Sequence, residues 1–171
     1  MEIKNIFITG PPGCGKTSLI MEIIKELSLE AGGFYTQEIR EGGERGGFSI
    51  TSLNGKKGIL AHINIKSPYR VGKYGVDIKD LEEIGVRSIL EALKGNKIVI
   101  IDEAGKMEMK SDKFKKAVET ALNSKNKVLG TIKLTPDPFT DKIKKREDTK
   151  IFYLSRENRK EIKKEIIQLL K

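Results

Sequence analysis

Apolar residues along the chain change their spacing several times, and each change marks an element. Ile6-Phe7-Ile8 is a short continuous run of the kind a buried strand shows, and Leu19, Ile20, Ile23, Ile24 and Leu27 behind it recur at helical spacing. Residues 34–40, 48–53 and 57–61 read as strands, joined by the glycine-rich segment 42–47 and by Asn54-Gly55, a tight-hairpin signal. Residues 66–76, with Pro68, Gly72 and Gly75, read as a loop. A helix is expected over 77–94, with Asp77 as its N-cap, Leu81, Ile84, Ile89 and Leu93 as its apolar stripe, and Gly95 as its stop. Ile98-Val99-Ile100-Ile101 is β-branched throughout and reads as a strand buried on both faces, as parallel sheets require. A helix from Ser111 buries Phe114, Val118, Ala121 and Leu122; residues 127–132 form a core strand, and Pro136-Asp137-Pro138 marks a loop. Residues 151–154 are the last strand, and the final helix carries Ile162, Ile166, Leu169 and Leu170. Strands alternating with helices predict one three-layer α/β domain over 1–171, with a mostly parallel sheet and an antiparallel hairpin insertion. The insertion is either an edge decoration of the sheet or a flap over a ligand.

The segment between the first strand and the first helix is Gly10-Pro11-Pro12-Gly13-Cys14-Gly15-Lys16-Thr17. It fits G-x-x-x-x-G-K-[ST], the phosphate-binding loop, in the context that loop requires. Its glycines let successive N–H groups turn inward, and the helix behind adds unpaired amides and the positive end of its dipole. Gly10 to Thr17, together with Ser18, are therefore the expected nucleotide-binding residues. Lys16 is expected to reach the β- and γ-phosphates, and the Thr17 hydroxyl to ligate Mg²⁺. Cys14 fills a variable position and has no chemical role assigned.

The buried strand 98–101 runs into Asp102-Glu103. Carboxylates at the C-terminal end of a parallel strand lie where open α/β sheets bind ligands. Asp102 is suited to the Mg²⁺ shell and Glu103 to polarising an attacking water, which separates the metal and base roles.

Composition narrows the setting. The chain has 171 residues, enough for a sizeable core, and a formal charge of +9. No stretch is long and apolar enough to span a bilayer, the first strand leaves no room for a cleavable leader, and the cytoplasm is the expected compartment. One cysteine excludes an internal disulfide framework. Basic charge raises nucleic acid as a partner, yet lysines interleave with glutamates, as in residues 160–165, and no aromatic–basic interleaving occurs. Nucleic acid is therefore open but not favoured, and no protein partner is legible. Abundant Lys and Glu, with Gln only at positions 37 and 168, fits a heat-adapted protein.

Five tracts, 10–17, 33–40, 70–77, 101–108 and Glu157-Asn158-Arg159, resemble the THEP-type nucleoside triphosphatases, and the resemblance runs from the first strand to the last helix. It implies a RecA-like core in which one strand separates the phosphate-loop strand from the Asp-Glu strand. It also implies Mg²⁺-dependent hydrolysis of ATP, GTP and other triphosphates, slow and with low base selectivity. Carried over by position, Lys16 and Thr17 would hold phosphate and metal, Asp102 would support the metal, and Glu103 would be the catalytic acid. Further candidates for nucleotide or transition-state contact are Lys106 close behind the acids, Thr131 at the end of a core strand, and Asn158 and Arg159 after the last strand. Each also has a plain structural role open to it. Arg40, Arg70 and Arg146 are weaker candidates, and His62 reads as structural. A nucleotide or small-molecule kinase, a nucleic-acid-responsive ATPase and a nucleotide-gated switch remain as rival functions.

Overall fold

The computed structural model describes residues 2–171. Among the described residues, a single sheet of nine strands organises the chain. Strands β1 (Asn5–Thr9), β7 (Ile98–Ala104), β8 (Val128–Ile132) and β9 (Thr149–Tyr153, the edge strand beside β1) form its parallel part with the first half of β2 (Ala31–Glu41). β8 lies between β1 and β7, so the phosphate-loop strand and the Asp-Glu strand are separated by one strand, the RecA-like order.

Side chains alternate between the two faces of these central strands, as the pleat requires. Ile6, Ile8, Ile100 and Leu129 meet α1 (Lys16–Leu27) and α6 (Arg159–Leu170) through Leu19, Ile20, Ile23, Ile162 and Ile166. Phe7, Val99 and Ile101 face the other way. There they meet Ile89 of α3 (Arg87–Lys94), Phe114 and Val118 of α4 (Asp112–Leu122), and Ile143 of α5 (Pro138–Lys144). These are the three expected layers.

Asp77 caps its helical run as expected, accepting from the Asp80 N–H at 2.9 Å, but the run is not uniform. It comprises α2 (Ile78–Asp80), a π-helical stretch Leu81–Val86, and α3, stopping at Gly95. Two segments expected to be loops are structured. Residues 66–76 contain a small hairpin of β5 (Arg70–Val71) and β6 (Tyr74–Val76), and the segment after Pro136 becomes α5. Asp137 starts that helix by accepting from the N–H groups of Phe139 at 3.0 Å and Thr140 at 3.1 Å, with Pro138 in its first turn.

The antiparallel part is a broad extension of the sheet rather than a separate hairpin. β2 is parallel to β7 through Phe34, and from there its far half pairs antiparallel with β3 (Glu44–Ser52). β4 (Lys57–His62), β6 and β5 continue outward. No helix among the described residues is long and apolar enough to cross a membrane.

Candidate active site

The loop leaving β1 turns through three glycines with positive φ: Gly10 at +154°, Gly13 at +76° and Gly15 at +93°. Gly15 occupies the N-cap of α1 and supplies no side-chain cap, so the first-turn N–H groups are not covered by a neighbouring side chain. Lys16 folds back over this loop, its Nζ donating to the Gly10 carbonyl at 2.7 Å and the Pro11 carbonyl at 3.5 Å.

The parallel register of β7, β8 and β1 brings the other groups alongside. Asp102, almost fully buried, accepts from the Thr17 hydroxyl at 2.7 Å on Oδ2 and from the Thr131 hydroxyl at 2.6 Å on Oδ1. The backbone N–H of Thr36, on β2, is a third donor to this carboxylate. Burial pushes the Asp102 carboxyl above its ordinary value, and the Thr131, Thr17 and Thr36 bonds and the Lys16 charge oppose that push. Three hydrogen bonds to one carboxylate favour its charged form. The Asp102–Glu103 peptide bond is cis. The Glu103 carboxyl is also held above its ordinary value by burial; the Lys16 ammonium pulls it back down, the Asp102 charge pushes it up again, and Lys133 opposes that push.

These groups border a cavity of about 650 Å³ lined by the loop residues Pro12, Gly13 and Gly15, by Lys16, Thr17 and Ser18, and by Asp102 and Glu103. Its opposite wall is Thr36, Gln37 and Glu38 of β2 and Phe48 of β3. The antiparallel extension is thus both a sheet edge and a cavity wall.

The remaining sequence candidates fall elsewhere. Lys106 is exposed and borders a neighbouring cavity. Asn158 braces a turn, accepting from the Ser155 N–H at 2.7 Å and donating to the Tyr153 carbonyl at 2.7 Å. Arg159 clamps the phosphate loop to the final helix, donating to the Gly15 carbonyl at 3.1 Å and pairing with Glu22. Arg40, Arg70 and Arg146 are engaged locally, with Gly43 and Glu38, with the carbonyls of Ile65 and Lys73, and with Leu122 and Asp148 respectively. His62 pairs with Glu41 at 3.1 Å and accepts from the Asn64 N–H, in keeping with a structural role.

Three groups in or beside the site were not legible as such. Thr36 contributes its backbone to Asp102, which no side-chain motif can signal. Lys133 follows Thr131 by two residues, and a period of two directs both toward the same side of the sheet; that spacing was the available signal. Its side chain is only 12 % exposed, with Asp137 at 3.9 Å. Glu108 opens a 3₁₀ turn after β7 and is 3 % exposed.

Glu108 has a measurable consequence. Burial, reinforced by the facing Glu103 and Asp102 charges, holds its carboxyl well above the ordinary value of 4.5. A carboxyl raised in the folded state keeps its proton at pH values where the unfolded chain has released it. Stability is therefore lost as pH climbs above about 4.5 toward the raised value, at most about 1.4 kcal/mol per pH unit for one proton. Glu108→Gln removes the titration at little change in shape. The variant is expected to melt above the parent at pH 7, with the gap closing below about pH 4.5, in thermal unfolding across a pH series. A gap independent of pH would refute this account of Glu108.

Known proteins resemble this chain over most of its length. A protein-family model described as NTPase matches residues 5–167. The nucleoside-triphosphatase THEP1 of Thermotoga maritima is 52% identical over 166 residues, covering 97% of this chain and 95% of that protein. The human cancer-related nucleoside-triphosphatase is 36% identical over 180 residues, covering 96% and 95%. The crystal structure of THEP1 from Aquifex aeolicus superimposes with a TM-score of 0.87 at 37% identity, over 98% of this chain and 99% of that one.

Proposed function

This chain belongs to the NTPase family of THEP1-like nucleoside-triphosphatases, and on that premise we propose that it hydrolyses nucleoside triphosphates to diphosphate and inorganic phosphate. The proposed reaction is Mg²⁺-dependent and slow, and takes ATP, GTP and other bases alike. One observation carries the reading: the Thr17 and Thr131 hydroxyls converge on Asp102, which stands beside Glu103 on the cavity that the phosphate loop borders.

The uncapped amides at the start of α1 and the Lys16 ammonium grip the polyphosphate. Thr17 and Asp102 suit Mg²⁺. Both present oxygen, they already lie within hydrogen-bonding distance, and Mg²⁺ takes one or two protein oxygens plus substrate phosphates rather than an all-protein cage. When bound, the ion neutralises charge on the β- and γ-phosphate oxygens. Thr131 and the Thr36 amide hold the Asp102 carboxylate in one orientation. Glu103 takes a proton from water as the water oxygen bonds to the γ-phosphorus, and the bond to the β,γ-bridging oxygen breaks. No arginine among the described residues lines the cavity, which supports slow turnover in the isolated chain. Every contact assigned here addresses the polyphosphate tail, which supports broad base selectivity.

A panel of ATP, GTP, CTP and UTP, assayed for phosphate release with Mg²⁺ and with a chelator, tests this. All four are expected to be cleaved within about tenfold of one another and below ~1 s⁻¹, the bottom of the kinase range, with loss on chelation. Cleavage of a single base, or release that persists without a divalent cation, would contradict it.

A further inference from the structure

Glu103 borders two cavities. The second, of about 420 Å³, shares Pro12, Lys16, Thr36, Phe48 and Glu103 with the polyphosphate cavity. It continues between Leu60 of β4, Val71 of β5, Met107 in the turn after β7, and Leu134 just after β8. The antiparallel extension and two loops at the sheet's C-terminal edge thus enclose a space alongside the group assigned to activate the nucleophile.

Water alone does not call for such a space. A water molecule takes about 30 Å³ of liquid volume, so the cavity is more than ten times larger than hydrolysis requires. Apolar walls with a few convergent polar groups are the composition of small-molecule sites. Two polar groups here meet over Gly105: a Cβ built on that residue would stand 2.9 Å from Glu103 Oε1 and 3.2 Å from Glu108 Oε1. A side chain at position 105 would fill the space where the two carboxyls converge. Lys133, nearly buried, adds one cation to the lining.

We propose that this second cavity holds a small amphipathic alcohol, its hydroxyl against Glu103 and its carbon body between Val71, Met107 and Leu134, and that the γ-phosphoryl group passes to that hydroxyl in competition with water. The inference rests on the reading of Glu103 as the acceptor of the nucleophile's proton. In the step, the alcohol oxygen bonds to the γ-phosphorus and the hydroxyl proton goes to Glu103. The bond from phosphorus to the β,γ-bridging oxygen breaks, and its electron pair leaves on the nucleoside diphosphate. Nothing is oxidised or reduced, and the products are an alkyl phosphate and the diphosphate.

Product partitioning tests it. The full chain is incubated with MgATP and either methanol or 1-butanol, and alkyl phosphate and inorganic phosphate are counted in the same sample by ³¹P NMR. Each methylene moved from water to an apolar wall is worth about fourfold, so three more should give 1-butanol at least about a tenfold preference per mole. Leu134→Ser, at a half-exposed position, and the near-isosteric Val71→Thr should each lower that preference severalfold. Phosphate release without a butanol preference, or a preference unchanged in both variants, overturns the acceptor site and leaves the hydrolase intact. Absence of both inorganic and alkyl phosphate in every sample overturns the hydrolase reading and this inference with it.

Discussion

Glu103→Gln is expected to lower phosphate release by about 10²–10⁴-fold, the usual contribution of a positioned general base, while nucleoside triphosphate affinity stays within about threefold. Glutamine keeps the shape of the side chain and its place on the cavity wall but cannot accept the water's proton. The phosphate-gripping groups are on a different element, at the β1–α1 junction, so binding has no reason to fall with turnover. Single-turnover phosphate release and calorimetric titration of the nucleotide separate the two quantities. An unchanged rate would remove Glu103 from the chemistry. A loss of affinity as large as the loss of rate would make it a binding residue instead.

The largest expected effect on stability is at Gly33, where β2 changes partners. This residue pairs with Ile100 in parallel and has φ +108°, and a Cβ there would stand 2.1 Å from the Ile100 carbonyl oxygen. Its own carbonyl accepts from the Leu53 N–H at 2.9 Å, so the chain cannot retreat without losing a bond on its other side. Gly33→Ala must therefore open the β2–β7 pairing. The cost is expected to exceed about 4 kcal/mol, the exceptional range for one substitution, or a fall in melting temperature of at least about 10 °C at this size. Gly55→Ala makes the comparison: its φ is +99° but nothing lies within 4 Å of the added carbon. Strain alone should cost it only about 1–3 kcal/mol. Equal melting temperatures for the two variants would show that crowding against β7 is not what requires glycine at position 33.

Much of this architecture could be read from residue types. The alternation of buried strands with amphipathic helices specified three layers, and the runs at 6–8, 98–101 and 127–132 became the central strands. The glycine-lysine loop and the acid pair lie on one cavity, as their positions after parallel strands implied. What escaped was short or depended on context. The β5–β6 hairpin has strands of two and three residues, below the length at which alternation can be recognised. Asp137-Pro138 is a helix-start signal, but α5 is only seven residues long, and its few apolar positions do not make a periodic stripe. Glu108 and Lys133 look like the solvated charges that fill this chain, and only tertiary packing shows that Glu108 is buried and Lys133 nearly so. Arg159 and Asn158 are nucleotide-contact candidates by their position after the last strand, and their bonds brace the phosphate loop and the adjoining turn.

A crystal structure of the chain with nucleoside diphosphate, aluminium fluoride and Mg²⁺ examines the polyphosphate site most directly. The diphosphate is expected along residues 10–17, with Lys16 released from the Gly10 carbonyl onto the fluoroaluminate. The cation should lie beside Thr17 and Asp102, with Glu103 facing the fluoroaluminate across the position of the attacking water. Nucleotide bound away from that loop, or a cation with neither Thr17 nor Asp102 in its surroundings, would contradict the assignment.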